Sequence, residues 1–166
     1  MRLEELRNVV ERCMRCEACE DACAFYSATH DERFSPLTKI GIARKVLNGG
    51  IIEDEDLPSI YACTLCGICE RACPLHLPIT EMVRGLRKIL VEEGRVPEPI
   101  MKLCKNIVDR GSMTGRGPEY WRSWIPGGEP FPGKAQYLYL AGCMIPFKLH
   151  ELGDATIKIF RKAGLD

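Results

Sequence analysis

The chain has 166 residues, 46% of them hydrophobic, which leaves room for one medium domain or two small ones and excludes a disordered composition. Lys and Arg total 23 and Asp and Glu total 23, so no global field draws the chain to nucleic acid or to acidic lipid headgroups. No apolar run approaches the roughly 20 residues that cross a bilayer, and the charged, amphipathic start MRLEELRNVVERC is not a signal peptide; an unexported, cytoplasmic chain is expected, associated with a membrane only through a complex.

That amphipathic start leads into CMRCEACEDACA, which carries Cys13, Cys16, Cys19 and Cys23. Next, SPLTKIGIARKVLNGG predicts a helix: Ser35 caps it, Pro36 takes the first helical position, Leu37, Ile40, Ala43 and Leu47 share a face, and Gly49-Gly50 stops it. The acidic run EDED at 53–56 reads as the solvated, dipole-favoured start of a short helix reaching Tyr61. Then CTLCGICERACPLHLP repeats the cysteine spacing with Cys63, Cys66, Cys69 and Cys73 and closes on a proline. In ITEMVRGLRKILVEEG, Ile79, Met82, Val83, Leu86, Ile89 and Leu90 recur at helical steps before Gly94. EPIMKLCKNIVDRG does the same with Ile100, Leu103, Cys104, Ile107 and Val108, and Cys104 on that apolar face is expected as a small buried hydrophobe, not a ligand.

From residue 111 the texture changes. GSMTGRGPEYWRSWIPGGEPFPGKAQ is rich in Gly and Pro without a helical period and reads as a connector, with Trp121 and Trp124 expected to pack back on their own domain. QYLYLAGC predicts a strand, and LHELGDATIKIFRKAGLD a helix with Leu152, Ile159, Phe160 and Ala163 on one stripe. A strand, a turn bearing Cys143 and a helix open a βαβ unit whose second strand is missing.

Three chemistries compete for the eight clustered cysteines. Disulfides need oxidation, and four thiols within eleven residues would close only short loops that stabilise little. Zinc would take two CxxC pairs separated by roughly 15–20 residues, whereas each array here has CxxCxxC before a fourth cysteine. A cubane offers four iron corners, of which a short CxxCxxC turn can wrap three; the bacterial ferredoxin run CxxCxxCxxxCP has this pattern and gives its fourth cysteine to the other cluster. Two [4Fe–4S] clusters are therefore expected, one on Cys13, Cys16, Cys19 and Cys73 and the other on Cys63, Cys66, Cys69 and Cys23. Small neighbours such as Gly67 and Ala18 would let amides approach cluster sulfurs, although Gly67 serves equally as a turn glycine. Arg12, Arg15 and Arg71 receive no role, and the isolated His30, His76 and His150 read as surface or packing residues.

Two such arrays joined by helices, with the second followed by PLHLPITEMVRGLRKILVEEG, resemble the α-helical ferredoxin domain of heterodisulfide reductase-type iron–sulfur subunits. The glycolate and lactate oxidase iron–sulfur subunits and the anaerobic glycerol-3-phosphate dehydrogenase C subunit share that domain. The resemblance covers roughly residues 5–110 and departs from the family at Ala24, where proline usually follows the fourth cysteine. It implies a mainly α fold with an α-helical dicluster ferredoxin domain at 1–110, a connector at 111–134 and the start of a cysteine-rich α/β domain at 135–166. In the family that last domain carries CCG motifs; none occurs here, so no catalytic residue is carried over. The implied role is relay of single electrons between a flavin-, hydrogenase- or cytochrome-linked subunit and a CCG-domain catalytic part of a heterodisulfide reductase-like complex. The alternatives are an iron–sulfur subunit of a glycolate/lactate- or glycerol-3-phosphate-type dehydrogenase, or a structural or redox-sensing cluster protein.

Overall fold

Ser35 does in the structure what its position predicts. In the computed structural model, which describes residues 3–125 and 133–165, its hydroxyl accepts the Leu37 amide at 2.9 Å and starts a helix with Pro36 in the first turn. The helices in chain order are α1 (Leu3–Arg12), α2 (Ala18–Asp21), α3 (Ala24–Thr29), α4 (Pro36–Leu47), α5 (Leu57–Ala62), α6 (Ile68–Ala72), α7 (Ile79–Glu92), α8 (Glu98–Arg110), α9 (Met144–Phe147) and α10 (His150–Lys162). Single 3-10 turns precede α4 and α5 and follow α8, and the described residues contain no strand. None of the described helices is long and apolar enough to cross a membrane.

The chain divides into two units, Met1–Arg95 and Val96–Asp166. In the first, α4 packs against α1, α2, α5 and α7, and α1 also meets α7. Leu6 and Val9 of α1, Ile40 and Ala43 of α4, Ile60 of α5 and Met82, Val83, Leu86 and Leu90 of α7 make the core, joined by Ile52 and Leu77 from loops. Burying each large aliphatic side chain stabilises the unit by roughly 1.5–3 kcal/mol. Asp54 and Glu55 of the acidic run are solvated as expected, and the run also has partners: Arg95 bonds Asp54 at 2.6 Å, and Lys45 lies 3.5 Å from Glu53 and 3.4 Å from Asp56. These ion pairs tie the start of α5 to the ends of α4 and α7, although such partly exposed pairs contribute little individually.

The second unit is organised around α9, α10 and two tryptophans. Trp121 meets Phe147 edge-on at 5.4 Å between centroids, and Trp124 donates its indole N–H to the Trp121 carbonyl at 2.9 Å. Trp124 also lies against α10 where Gly153 has no side chain; a Cβ there would come within 2.3 Å of the indole. Both tryptophans thus pack within their own unit. The connector expected over 111–134 includes residues 126–132, which lie outside the described residues.

Two local expectations are corrected in this unit. QYLYLAGC does not form a strand: no ladder partner exists for it among the described residues, and Leu138 and Leu140 are exposed. The apolar stripe of α8 is real but uncovered, with Met101, Leu103, Ile107 and Val108 exposed. Cys104 on that stripe is consequently exposed as well, not buried. On α10, Leu152 and Ile159 are likewise exposed, while Phe160 meets Tyr139 edge-on at 5.6 Å.

Candidate metal centre

The two arrays adopt one backbone conformation twice. Arg15 and Glu17 have φ of 54° and 66°, and fifty residues on Leu65 and Gly67 have φ of 56° and 76°. Left-handed residues at these points turn neighbouring amides toward a common side, the arrangement that lines many iron–sulfur and anion sites. Each first cysteine ends a helix, Cys13 after α1 and Cys63 after α5, and each third one lies in a short helix, Cys19 in α2 and Cys69 in α6. The fourth cysteines are both extended, Cys23 at φ −79°, ψ 106° and Cys73 at φ −69°, ψ 122°. The two fourth cysteines thus share a backbone conformation, while Ala24 opens α3 where Pro74 lies in a turn. Gly67 is favoured by its positive φ and not by crowding, since a Cβ there would meet nothing closer than 3.9 Å.

These loops bring the thiols together around two cavities in the first unit. One is lined by Cys13, Cys16, Cys19 and Cys73, with Leu37, Ile40, Leu77 and Ile79. The other is lined by Cys23, Cys63, Cys66 and Cys69, with Phe25, Phe34, Lys39 and Ile79. Each array thus contributes three thiols to one cavity and its fourth to the other. Cys16 and Cys66 are exposed and Cys19 is buried, with the remaining five at intermediate depth. Among the described residues no three of His, Cys, Asp and Glu converge on the position of a single metal ion; the thiols surround a volume instead. Four cysteines about an apolar cavity form a donor set that fits a [4Fe–4S] cluster.

Burial pushes the Cys19 thiol up to about 11 and the Cys69 thiol up to about 12, so without metal both are neutral at physiological pH. Loading iron must therefore release their protons. A glutamate follows the third cysteine in both arrays and anchors the next long helix. Glu70 accepts the Thr80 amide at 2.6 Å and the Thr80 hydroxyl at 2.7 Å, satisfying the first turn of α7, and Glu20 accepts the Ser35 hydroxyl at the start of α4. Arg87 of α7 donates to the carbonyls of Ile60 at 2.9 Å and Tyr61 at 3.3 Å and to that of Cys63, which fixes the entry to the second array.

Lys39 was not singled out by the sequence, yet it lines the second cavity and is only 4% exposed. Desolvation pulls its pKa down, opposed by the charges of Cys63, Cys23 and Cys69. The repeated Glu20 and Glu70 were legible as an identical residue at one place in both arrays; nothing in the sequence marks Lys39. The other expected bystanders, Arg15 excepted, line neither cavity. Cys104 and Cys143 are exposed in the second unit. His30 and His76 are exposed at left-handed turns, and exposed His150 bonds the Pro146 carbonyl at 2.7 Å. Arg15 borders the first cavity from an exposed position.

Residues 9–77 match the family model of the 4Fe-4S dicluster domain. The chain is similar to "Uncharacterized electron transport protein YkgF" of Escherichia coli (strain K12), with 27% identity over 152 residues, covering 90% of this chain and 30% of that protein. It is 35% identical over 89 residues to "Lactate utilization protein B" of Lysinibacillus sphaericus (strain C3-41), covering 52% of this chain and 18% of the relative. The protein of the same name in Macrococcus caseolyticus (strain JCSC5402) is 32% identical over 106 residues, 63% of this chain and 21% of its own. The chain spans less than a third of the length of these relatives. No solved structure matches it.

Proposed function

We propose that the chain is an electron-transfer module of a larger oxidoreductase, with one [4Fe–4S] cluster on Cys13, Cys16, Cys19 and Cys73 and a second on Cys63, Cys66, Cys69 and Cys23. The observation that carries this reading is the pair of cavities, each lined by three thiols of one array and one of the other. When bound, each cluster supplies a site that accepts and returns a single electron. The chain's own residues hold the two sites side by side: α2 packs on α6, Glu20 and Glu70 anchor α4 and α7, and Arg87 fixes Cys63. Electrons enter from a flavin-, hydrogenase- or cytochrome-linked subunit and leave to a catalytic part. The segment from residue 135, with Cys143, opens the cysteine-rich domain that contributes to that part. The complex works in the cytoplasm, at a membrane only through other subunits.

For the reaction served, the relatives' names favour oxidation of a 2-hydroxy acid such as lactate over reduction of a heterodisulfide. Protein purified without oxygen should contain about eight iron and eight acid-labile sulfide atoms per chain, as two cubanes require. Two zinc atoms and no sulfide would end the cluster reading. Reduction of both clusters by lactate, in the presence of the complete complex, separates the two pathways; reoxidation by a heterodisulfide with no response to lactate would reverse the choice.

A further inference from the structure

Among the described residues, Lys39 is the only charged side chain that is buried. Its position on α4 puts the ammonium beneath the second cavity, where two of its three N–H groups donate to the carbonyls of Phe34 at 2.6 Å and Ser35 at 3.1 Å. No carboxylate among the described residues pairs with it. A buried cation without a counter-ion is strongly unfavourable, and carbonyl dipoles compensate only part of that cost. The anionic groups that share its cavity are the thiolates of a loaded site, those of Cys23, Cys63, Cys66 and Cys69. The first cavity has no equivalent: Leu37 and Ile40 of the same helix face it, and its only bordering cation is the exposed Arg15.

We propose that Lys39 is the internal counter-charge of the site formed by Cys23, Cys63, Cys66 and Cys69, and that it raises the reduction potential of the cluster held there. The inference rests on the electron-transfer reading above and deepens it. Reduction adds one negative charge to a site, taken with the electron from a one-electron donor such as a flavin semiquinone or dithionite. A fixed cation in surroundings of low dielectric stabilises the reduced form more than the oxidised form, so the potential rises. The first site lacks this bias. Lys39 therefore makes the second site the better resting place for an electron and gives the pair a direction.

The test is a redox titration of the anaerobic full-length chain followed by electron paramagnetic resonance. Iron and sulfide in the unaltered chain are measured first, so that failure to bind clusters is read separately from failure of Lys39 to act on one. Signals are assigned with Cys16→Ser for the first site and Cys66→Ser for the second. In Lys39→Met, iron and sulfide should be unchanged, the second site's potential should fall and the first site's should stay in place. Lys39→Arg should bring the potential most of the way back. Unchanged potentials, or an equal fall at both sites, would overturn the proposal. If Lys39→Met loses the second cluster, retention in Lys39→Arg supports a charge role, whereas loss in both variants assigns the residue a role of shape alone and overturns it.

Discussion

Shifted by fifty residues, the first cysteine array falls on the second: cysteine on cysteine, Glu20 on Glu70, and left-handed Arg15 and Glu17 on Leu65 and Gly67. The surroundings do not repeat. Helix α4 borders both, giving Leu37 and Ile40 to one cavity and Pro36 and Lys39 to the other, while Ile79 of α7 is common to the two. Holding the thiols is thus encoded locally and twice, while the electrical environment of each set is decided once, by adjacent faces of a helix belonging to neither array. Two sites with one backbone conformation in this way differ in their electrical surroundings.

The comparison breaks first at the fourth ligands. Cys73→Ser should abolish the cluster whose signal Cys16→Ser also disturbs, and Cys23→Ser the one disturbed by Cys66→Ser, each leaving about half the iron and sulfide. If each loss damages its own array's cluster, the sites are not crossed and the likeness between the cavities is misassigned. Next in size is the left-handed position that the arrays fill differently. Gly67→Ala should destabilise the anaerobic, loaded protein by about 1–2 kcal/mol, the cost of an L-residue at its φ of 76°. Glu17→Gly should instead be neutral or stabilising by up to about 1 kcal/mol, since it relieves the same cost. Thermal unfolding of both variants checks this, and equal destabilisation would show that the loops are not equivalent.

A smaller effect should come from the paired glutamates. Glu70→Ala leaves the Thr80 amide and hydroxyl without their acceptor and should cost about 1 kcal/mol, in the range of a lost helix cap. Glu20→Ala releases Ser35 but leaves the Ser35 cap on Leu37 intact, so its effect should be less. Smallest of all, Cys104→Ala and Cys143→Ala should leave iron and sulfide unchanged and shift stability by no more than about 0.5 kcal/mol, as exposed positions do. Loss of a cluster in either would make the second unit part of the metal centre.

What could be read from the sequence was local. The CxxCxxC turns, the Ser35 cap and the stripe of Met82, Val83, Leu86 and Leu90 depend on residues a few positions apart, and they appear where expected. Lys39 could not be read. In SPLTKIGIARKV a lysine looks solvent-facing, and it is buried only because α4 has neighbours on several sides, a fact of tertiary packing. The uncovered stripes of α8 and α10 show the same limit from the other side, because periodicity announces an apolar face without saying what covers it. QYLYL has the aromatic, apolar habit of a strand, but a strand exists only with a partner to pair with. The arrays themselves specify a cluster and say nothing of the substrate at the far end of the relay.

Exchange of the fourth cysteines also bears on how the protein is made. With the ligands crossed as proposed, Cys19 leaves the ribosome 54 residues ahead of Cys73, a wait of roughly 3–11 s at ~5–20 residues per second. Throughout that interval the first array has its own Cys23 at hand but not Cys73. Iron delivered early would be met by Cys23 in place of Cys73, so insertion machinery that acts after synthesis of both arrays gains over one that acts on the emerging chain.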